Sequence, residues 1–255
     1  MIDALHIAAT GLSSQQQQID AISNNLANMQ TPGFKRSRVA FADMNSLTPA
    51  EAAQGDAPER VGAGTRIAAT TPVMTDGTLQ QTGNTYDLAI QGNGFFEVES
   101  ADGDRLYTRA GQFHVNSDGQ LSTIDGLVMA QRLQIPTDAT DVVIDAQGEV
   151  RAKVGSDTDT TVLGQLEIAA FTAPEALRGV GGNRFAATPG SGDPNLGKPG
   201  EAGFGKVSQG YVEGSNVDLV SEMSNLVLAQ RAYQLNARVL QASDQILDTI
   251  NNLNR

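Results

Sequence analysis

Two stretches at opposite ends of this 255-residue chain repeat their apolar residues at intervals of seven. Near the N-terminus the series is Leu5, Leu12, Ile19 and Leu26, with Ala8, Gln15, Ile22 and Met29 three positions on. Near the C-terminus it is Leu219, Leu226, Tyr233, Leu240 and Leu247, supported by Met223, Ala237 and Ile250. A strict seven-residue period lines one stripe of an α-helix, and it suits a helix–helix seam better than a helix lying on a sheet. One stripe alone reads as an amphipathic helix on a globular core. Two of them, at the two ends of one chain, favour pairing of the termini with each other or with neighbouring copies. Thr31-Pro32-Gly33 stops the first helix. The second is predicted from about residue 217 to about residue 252, with Ser215 and Asn216 as N-cap candidates.

Between the stripes, residues 86–171 alternate like short strands separated by turns. Leu88 and Ile90 precede Gly92-Asn93-Gly94, Phe96 and Val98 precede Asp102-Gly103, Phe113 and Val115 precede Asp118-Gly119, and Val142 to Ile144 precede Gln147-Gly148. The expected fold is α+β: long N- and C-terminal helices pairing as a coiled coil, with a central antiparallel all-β domain. Residues 1–40 and 211–255 form the helical part and 81–186 the β domain. Residues 41–80 and 187–210, rich in Ala, Thr, Pro and Gly, are expected to be extended connectors with little regular structure. With no Trp and only 5% aromatic residues, the core has to be largely aliphatic.

The net charge of -12 argues against a nucleic-acid partner, because phosphate contacts need clustered Lys and Arg. The charge is uneven. Residues 1–38 hold Asp3 and Asp20 against Lys35, Arg36 and Arg38, and nearly all the acidity lies in the middle of the chain, as suits ends that pack together and a centre that faces solvent. No stretch is apolar enough for a membrane span, so membrane insertion is not expected, and Met1-Ile2-Asp3-Ala4-Leu5-His6 lacks the basic segment and apolar run of a cleaved secretory signal. With no Cys there is neither a disulfide framework nor a thiolate metal site.

Catalysis has little to build on. His6 and His114 fall in different predicted parts of the chain. Asp102-Gly103-Asp104 and Ser117-Asp118-Gly119 do not continue into a calcium loop with its distal Glu, and Gly179-Val180-Gly181-Gly182 does not open a helix after a strand as a phosphate loop does. No catalytic, metal or cofactor residue is expected.

Periodicity leaves one run of residues unexplained: Gly11-Leu12, then Ile22-Ser23-Asn24-Asn25-Leu26-Ala27-Asn28, then Thr31-Pro32-Gly33-Phe34-Lys35. This resembles the N-terminal signature of the flagellar rod and hook axial family. The other end is similar to the same family in Gly210-Tyr211-Val212-Glu213-Gly214-Ser215-Asn216-Val217 and in Gln230-Arg231-Ala232-Tyr233-Gln234-Leu235-Asn236. So is the middle, in Asp87-Leu88-Ala89-Ile90-Gln91-Gly92-Asn93-Gly94-Phe95-Phe96 and Tyr107-Thr108-Arg109-Ala110-Gly111. Within the family the chain looks most like the distal-rod type, although residues 41–61 are shorter than that type usually carries, which leaves a proximal-rod paralogue open. An extracellular β-domain binding module with a helical stalk is the alternative from another class.

The resemblance implies a structural subunit, not an enzyme, of the basal-body rod. It would be exported by the flagellar type III apparatus without a cleaved signal and located in the periplasmic span. Its partners would be copies of itself, other rod and hook proteins and the export apparatus. Leu5, Leu12, Ile19, Ile22, Leu26, Leu219, Met223, Leu226, Tyr233, Leu240 and Leu247 are assigned to helix and subunit packing. Asn24, Asn25 and Asn28 are read as a hydrogen-bonding strip between subunits. Gly33 is expected to permit a turn with positive φ, and Phe34 to anchor the connector in apolar surface.

Overall fold

The computed structural model describes residues 2–46, 61–100, 102–155 and 159–253. The chain forms two compact units, each discontinuous in sequence. One comprises Met1–Ala27, Ser37–Pro72 and Asp218–Arg255; the other comprises Asn28–Arg36 and Val73–Val217.

In the first unit, helix α1 (Ile2–Ala27) packs against helix α2 (Leu219–Leu253). The pair is antiparallel: Asn25 near the end of α1 bonds Glu222 near the start of α2, whereas Gly11 faces Asn236 fourteen residues further along. The last helical residue of α1 is Ala27, and Thr31 N–H then donates to Asn28 O at 3.1 Å to make the turn that Pro32 and Gly33 continue. The cap of α2 is Asp218, not Ser215 or Asn216. Its Oδ1 accepts from Val220 N–H at 3.0 Å and its Oδ2 from the Ser221 hydroxyl at 3.0 Å, satisfying donors that the first turn leaves open. Ser215 instead makes a local turn, accepting from Val217 N–H at 3.3 Å.

The stretch expected to be a connector between residues 41 and 80 carries regular structure. Strands β1 (Ser37–Ser46) and β2 (Val61–Pro72) form an antiparallel pair that packs on α1, interrupted by irregular register after Ala40 and after Asp43. Small residues line β2, and the Ser14 hydroxyl of α1 donates to Thr65 O at 3.4 Å. Such a strand is held by its partner and by close approach to a helix, not by apolar alternation of its own, so no period-two pattern marks it. Residues 47–60 of the expected connector lie outside the described residues.

The second unit is antiparallel throughout. Seven strands form its largest sheet, in the order Arg178–Gly181, Arg184–Ala186, Arg105–Thr108, Phe96–Glu99, Val128–Met129, Leu121–Thr123 and Phe113–Val115. Ala139–Ile144, Glu149–Val154 and Thr160–Gln165 make a three-stranded sheet. The expected return connector at 187–210 is also partly strand: Lys206–Gln209 pairs with Leu88–Gln91 and buries Val207 in the core, and Asn195–Gly197 pairs with Ile168–Ala170.

The core is aliphatic, as composition requires, and joins Leu88, Ile90, Val98, Leu121, Ile144 and Val150 around Phe96 and Phe113. Adjacent Phe95 points to the other face of its strand, as alternation dictates, and packs in a second cluster with Tyr107 and Phe185. Turns use one device twice. Asn116 Oδ1 accepts from Asp118 and Gln120 N–H, and Asp145 Oδ1 accepts from Gln147 and Glu149 N–H, all within 2.8–3.0 Å, while the glycine that follows takes positive φ at Gly119 and Gly148.

Phe96 is buried and meets the Phe113 ring edge-on at 5.2 Å, so Phe96→Ala is expected to destabilise the protein by about 3–5 kcal/mol. Ile124→Ala, at a side chain 73% exposed, should stay within about 0.5 kcal/mol of the parent. Urea unfolding followed by circular dichroism measures both, and equal effects at the two positions would contradict this placement of the core.

Candidate assembly surfaces and the closure of the end signatures

The segments that carry the N- and C-terminal signatures meet in the second unit. Gly33 N–H donates to Glu213 O at 2.7 Å, and Asn216 N–H donates to Phe34 O at 3.4 Å. The Asn216 side chain then serves both sides: its Oδ1 accepts from Arg36 N–H at 2.8 Å, and its Nδ2 donates to Val73 O at 2.8 Å and Thr75 O at 3.2 Å. Gly33 has φ of +71°, and a Cβ there would stand 2.4 Å from Ala110 N, so the turn needs glycine for conformation and for space. Gly210 takes φ of +77° and bridges neighbouring loops through Asp87 O and Thr82 N–H.

Beneath this seam lies a buried ionic cluster. Lys35 Nζ donates to Glu213 Oε1 at 2.5 Å and to Thr75 O at 2.7 Å, and both charged side chains are only 1% exposed. Gly77 N–H donates to the same Oε1 at 2.8 Å, and Arg109 Nη1 donates to Oε2 at 3.2 Å. Arg109 also donates from Nη2 to Gly92 O at 2.8 Å, and its guanidinium lies 5.1 Å from the centre of the Phe95 ring. Burial holds the pKa of Lys35 below its ordinary 10.5, an effect that Glu213 partly offsets and the Arg109 charge reinforces. One carboxylate thus answers two cations and a backbone donor in a site where an unpaired charge is costly. The arrangement locks three segments of sequence together.

A smaller bracket sits in the first unit at Asn25. Its Oδ1 accepts from Ser37 N–H at 2.8 Å, and its Nδ2 donates to Ser37 O at 2.9 Å and to Glu222 Oε2 at 3.4 Å. Within the chain the Asn25 amide thus matches both backbone groups of Ser37. Asn24 is exposed, and Asn28 Oδ1 accepts from the Thr31 hydroxyl at 3.2 Å.

Of the residues assigned to packing, Ile22 is buried, and Leu5, Leu12, Ile19, Leu26, Leu226 and Leu240 are half-buried. Leu219, Met223 and Tyr233 are exposed, and the side chain of Leu247 lies outside the described residues. Met223 is turned away because the buried companions of the α2 stripe lie three residues on, at Glu222 and Ala229, and not four. Among the remaining signature residues, Phe34, Tyr211, Ser215 and Ala232 are half-buried, whereas Ala27, Gln230 and Arg231 are exposed. Glu213, Arg109 and Glu222 were not singled out as site residues. The available signal was charge complementarity: Glu213 stands between Val212 and Gly214 in one end signature, and Lys35 follows Phe34 in the other.

Glu213→Gln takes the buried counter-charge from Lys35 and leaves Arg109 only the half-exposed Asp76 carboxylate at 3.5 Å, and it is expected to cost about 3–5 kcal/mol. Lys35→Met should cost less, because Arg109 still pairs with Glu213, and the double variant should cost less than the two single losses combined. Strict additivity in urea unfolding would mean that the three groups do not act as a unit.

Comparison with known proteins finds matches at both ends of the chain and in its middle. The descriptions that fit are "Flagella basal body rod protein" over residues 5–35, "Flagellar hook protein FlgE/F/G D1 domain" over 89–152 and "Flagellar basal body rod FlgEFG protein C-terminal" over 208–253. The flagellar basal-body rod protein FlgG of Agrobacterium fabrum is 44% identical over 97% of both chains, and that of Caulobacter vibrioides is 38% identical over 99% of both. FlgG of Borreliella burgdorferi is 38% identical over the full length of both, in an alignment of 264 positions. An alignment so little longer than the chain leaves no room for a long extra segment in the relative, so the shortness of residues 41–61 does not set this protein apart. Matched at both ends and through the middle, the chain belongs to the FlgG family of flagellar basal-body rod proteins.

Proposed function

We propose that this member of the FlgG family is the structural subunit of the distal rod, self-assembling into a helical tubular axial structure that carries torque from motor to hook. The observation that carries the reading is end-to-end similarity to rod proteins at 38–44% identity, without a gap where a different domain could sit. The paired terminal helices supply the physical means. We further propose that their seven-residue stripes, Leu5 to Leu26 and Leu219 to Leu247, act as coiled-coil seams, and that other rod and hook proteins cover the two ends of the polymer. Export through the flagellar type III apparatus without a cleaved signal, and residence in the periplasmic span, belong to the same proposal.

The composition of the α1–α2 seam bears on assembly. Asn25 of α1 and Glu222 of α2 are buried polar groups, and Gly11 meets Asn236, so the pair buries less apolar surface than a Leu-rich coiled coil. Helices with so little to bury are marginal alone, and the proposal couples their ordering to polymerisation.

Deletion of the gene, with electron microscopy of purified basal bodies, tests the role. Rods that stop short and carry no hook or filament are expected, and intact motile flagella would overturn the reading. Limited proteolysis tests the coupling: a dilute monomer should lose residues 1–30 and 215–255 first, whereas the assembled protein should keep them. Resistance of both termini in the dilute monomer would contradict assembly-coupled ordering.

A further inference from the structure

We propose that α2 carries both halves of a contact between successive copies of this chain, with Leu235 and Val239 of one copy seating on Met223 and Val227 of the next. The proposal rests on the rod reading above and names its contact. Met223 is 52% exposed, Val227 47%, Leu235 60% and Val239 50%, whereas the seam toward α1 runs through Glu222 and Ala229. Val220 and Leu228, also exposed, extend the two patches. Exposed apolar side chains gathered on one element mark a contact surface, and these belong to a helix whose inner face is already used.

The identity of the occupant follows from the spacing. Leu235 and Val239 repeat the four-residue interval of Met223 and Val227 twelve positions further on. Twelve residues are three and a third turns, so the patches stand about 120° apart around the helix and about 18 Å apart along it. A parallel copy of α2 slid by that distance brings the two pairs side by side. Because the patches are different surfaces of one helix, the contact is head-to-tail and leaves one free patch at each end, which generates an open polymer and not a closed pair. Patches facing opposite ways would stack copies in a flat array. At about 120°, each copy has to turn by about 60° relative to the last, so the row curves around an axis.

The chain has no cysteine, so introduced cysteines are its only thiols. A Val227→Cys/Val239→Cys double variant, assembled in purified basal bodies and oxidised, is expected to give a ladder of disulfide-linked copies. Val227→Cys alone and Val239→Cys alone should give no linked species, because each patch meets the other kind, and co-expression of the two should stop at dimers. The Met223→Cys/Leu235→Cys pair reads the same register if the first pair disturbs assembly. Self-linking of either single variant, linkage to a different protein, or intact rods without a ladder from both double variants would overturn the proposal. Failure of the rod reading itself would look different: the basal bodies would lack this chain altogether.

Discussion

The Glu213 carboxylate is the group on which the closure of the second unit depends. Its two oxygens receive Lys35 from the N-terminal signature, Arg109 from the central sheet region and Gly77 N–H from the strand-poor stretch between them. A carboxylate buried this fully is tolerated because both of its oxygens are met, Oε1 by Lys35 and Gly77 N–H and Oε2 by Arg109, and these donors come from residues far apart in sequence. The glycines around it follow from the same demand. Gly33 and Gly77 bring main chain so near that a Cβ on either would collide with Ala110 N or Gly214 O. An apolar cluster could have filled the same volume. What the ionic cluster adds is direction, since a Lys, an Arg and a Glu can satisfy one another only when the three segments arrive in one arrangement.

Sequence periodicity revealed the helices and alternation revealed the β domain, because both signals come from burying one face of a regular element. The α2 stripe at Leu226 and Leu240 does lie toward the inside, but the identity of its companions could not be read from apolar residues, since the buried neighbours are Glu222 and Ala229. The pair β1–β2 left no trace for a related reason. Its small and β-branched residues are chosen for close approach to α1, and a strand of Ala, Gly and Thr reads as a connector until its partner is known. The return segment at 187–210 contributes short pieces with no alternation to mark them, such as Val207 paired opposite Ile90 and Asn195–Gly197 paired with Ile168–Ala170.

The end signatures were legible as patterns but not as chemistry. Asn25, Gly33, Lys35 and Asn216 stand out in the sequence, yet their work is to bind backbone groups brought near by the fold, such as Ser37, Glu213 O, Thr75 O and Val73 O. Backbone acceptors have no sequence identity, so no inspection of residue types could have named them. Glu213, set between Val212 and Gly214, is legible as a charge in a buried strand, and a buried charge requires a cation such as Lys35.

These two kinds of residue divide the labour of a polymer subunit. Charges and amides that are satisfied within the chain fix its own conformation and leave little for a neighbour to take. The exposed side chains of α2 are the reverse case, because Met223, Val227, Leu235 and Val239 leave about half of their surface uncovered by the chain to which they belong. A helix with one face on α1 and two further apolar faces is poorly suited to a monomer, whose solubility suffers from both, and well suited to a site where each face has an occupant. The net charge of -12 offsets part of that liability before assembly by keeping copies apart at long range, yet it is carried mostly by the middle of the chain and so leaves the helices free to meet.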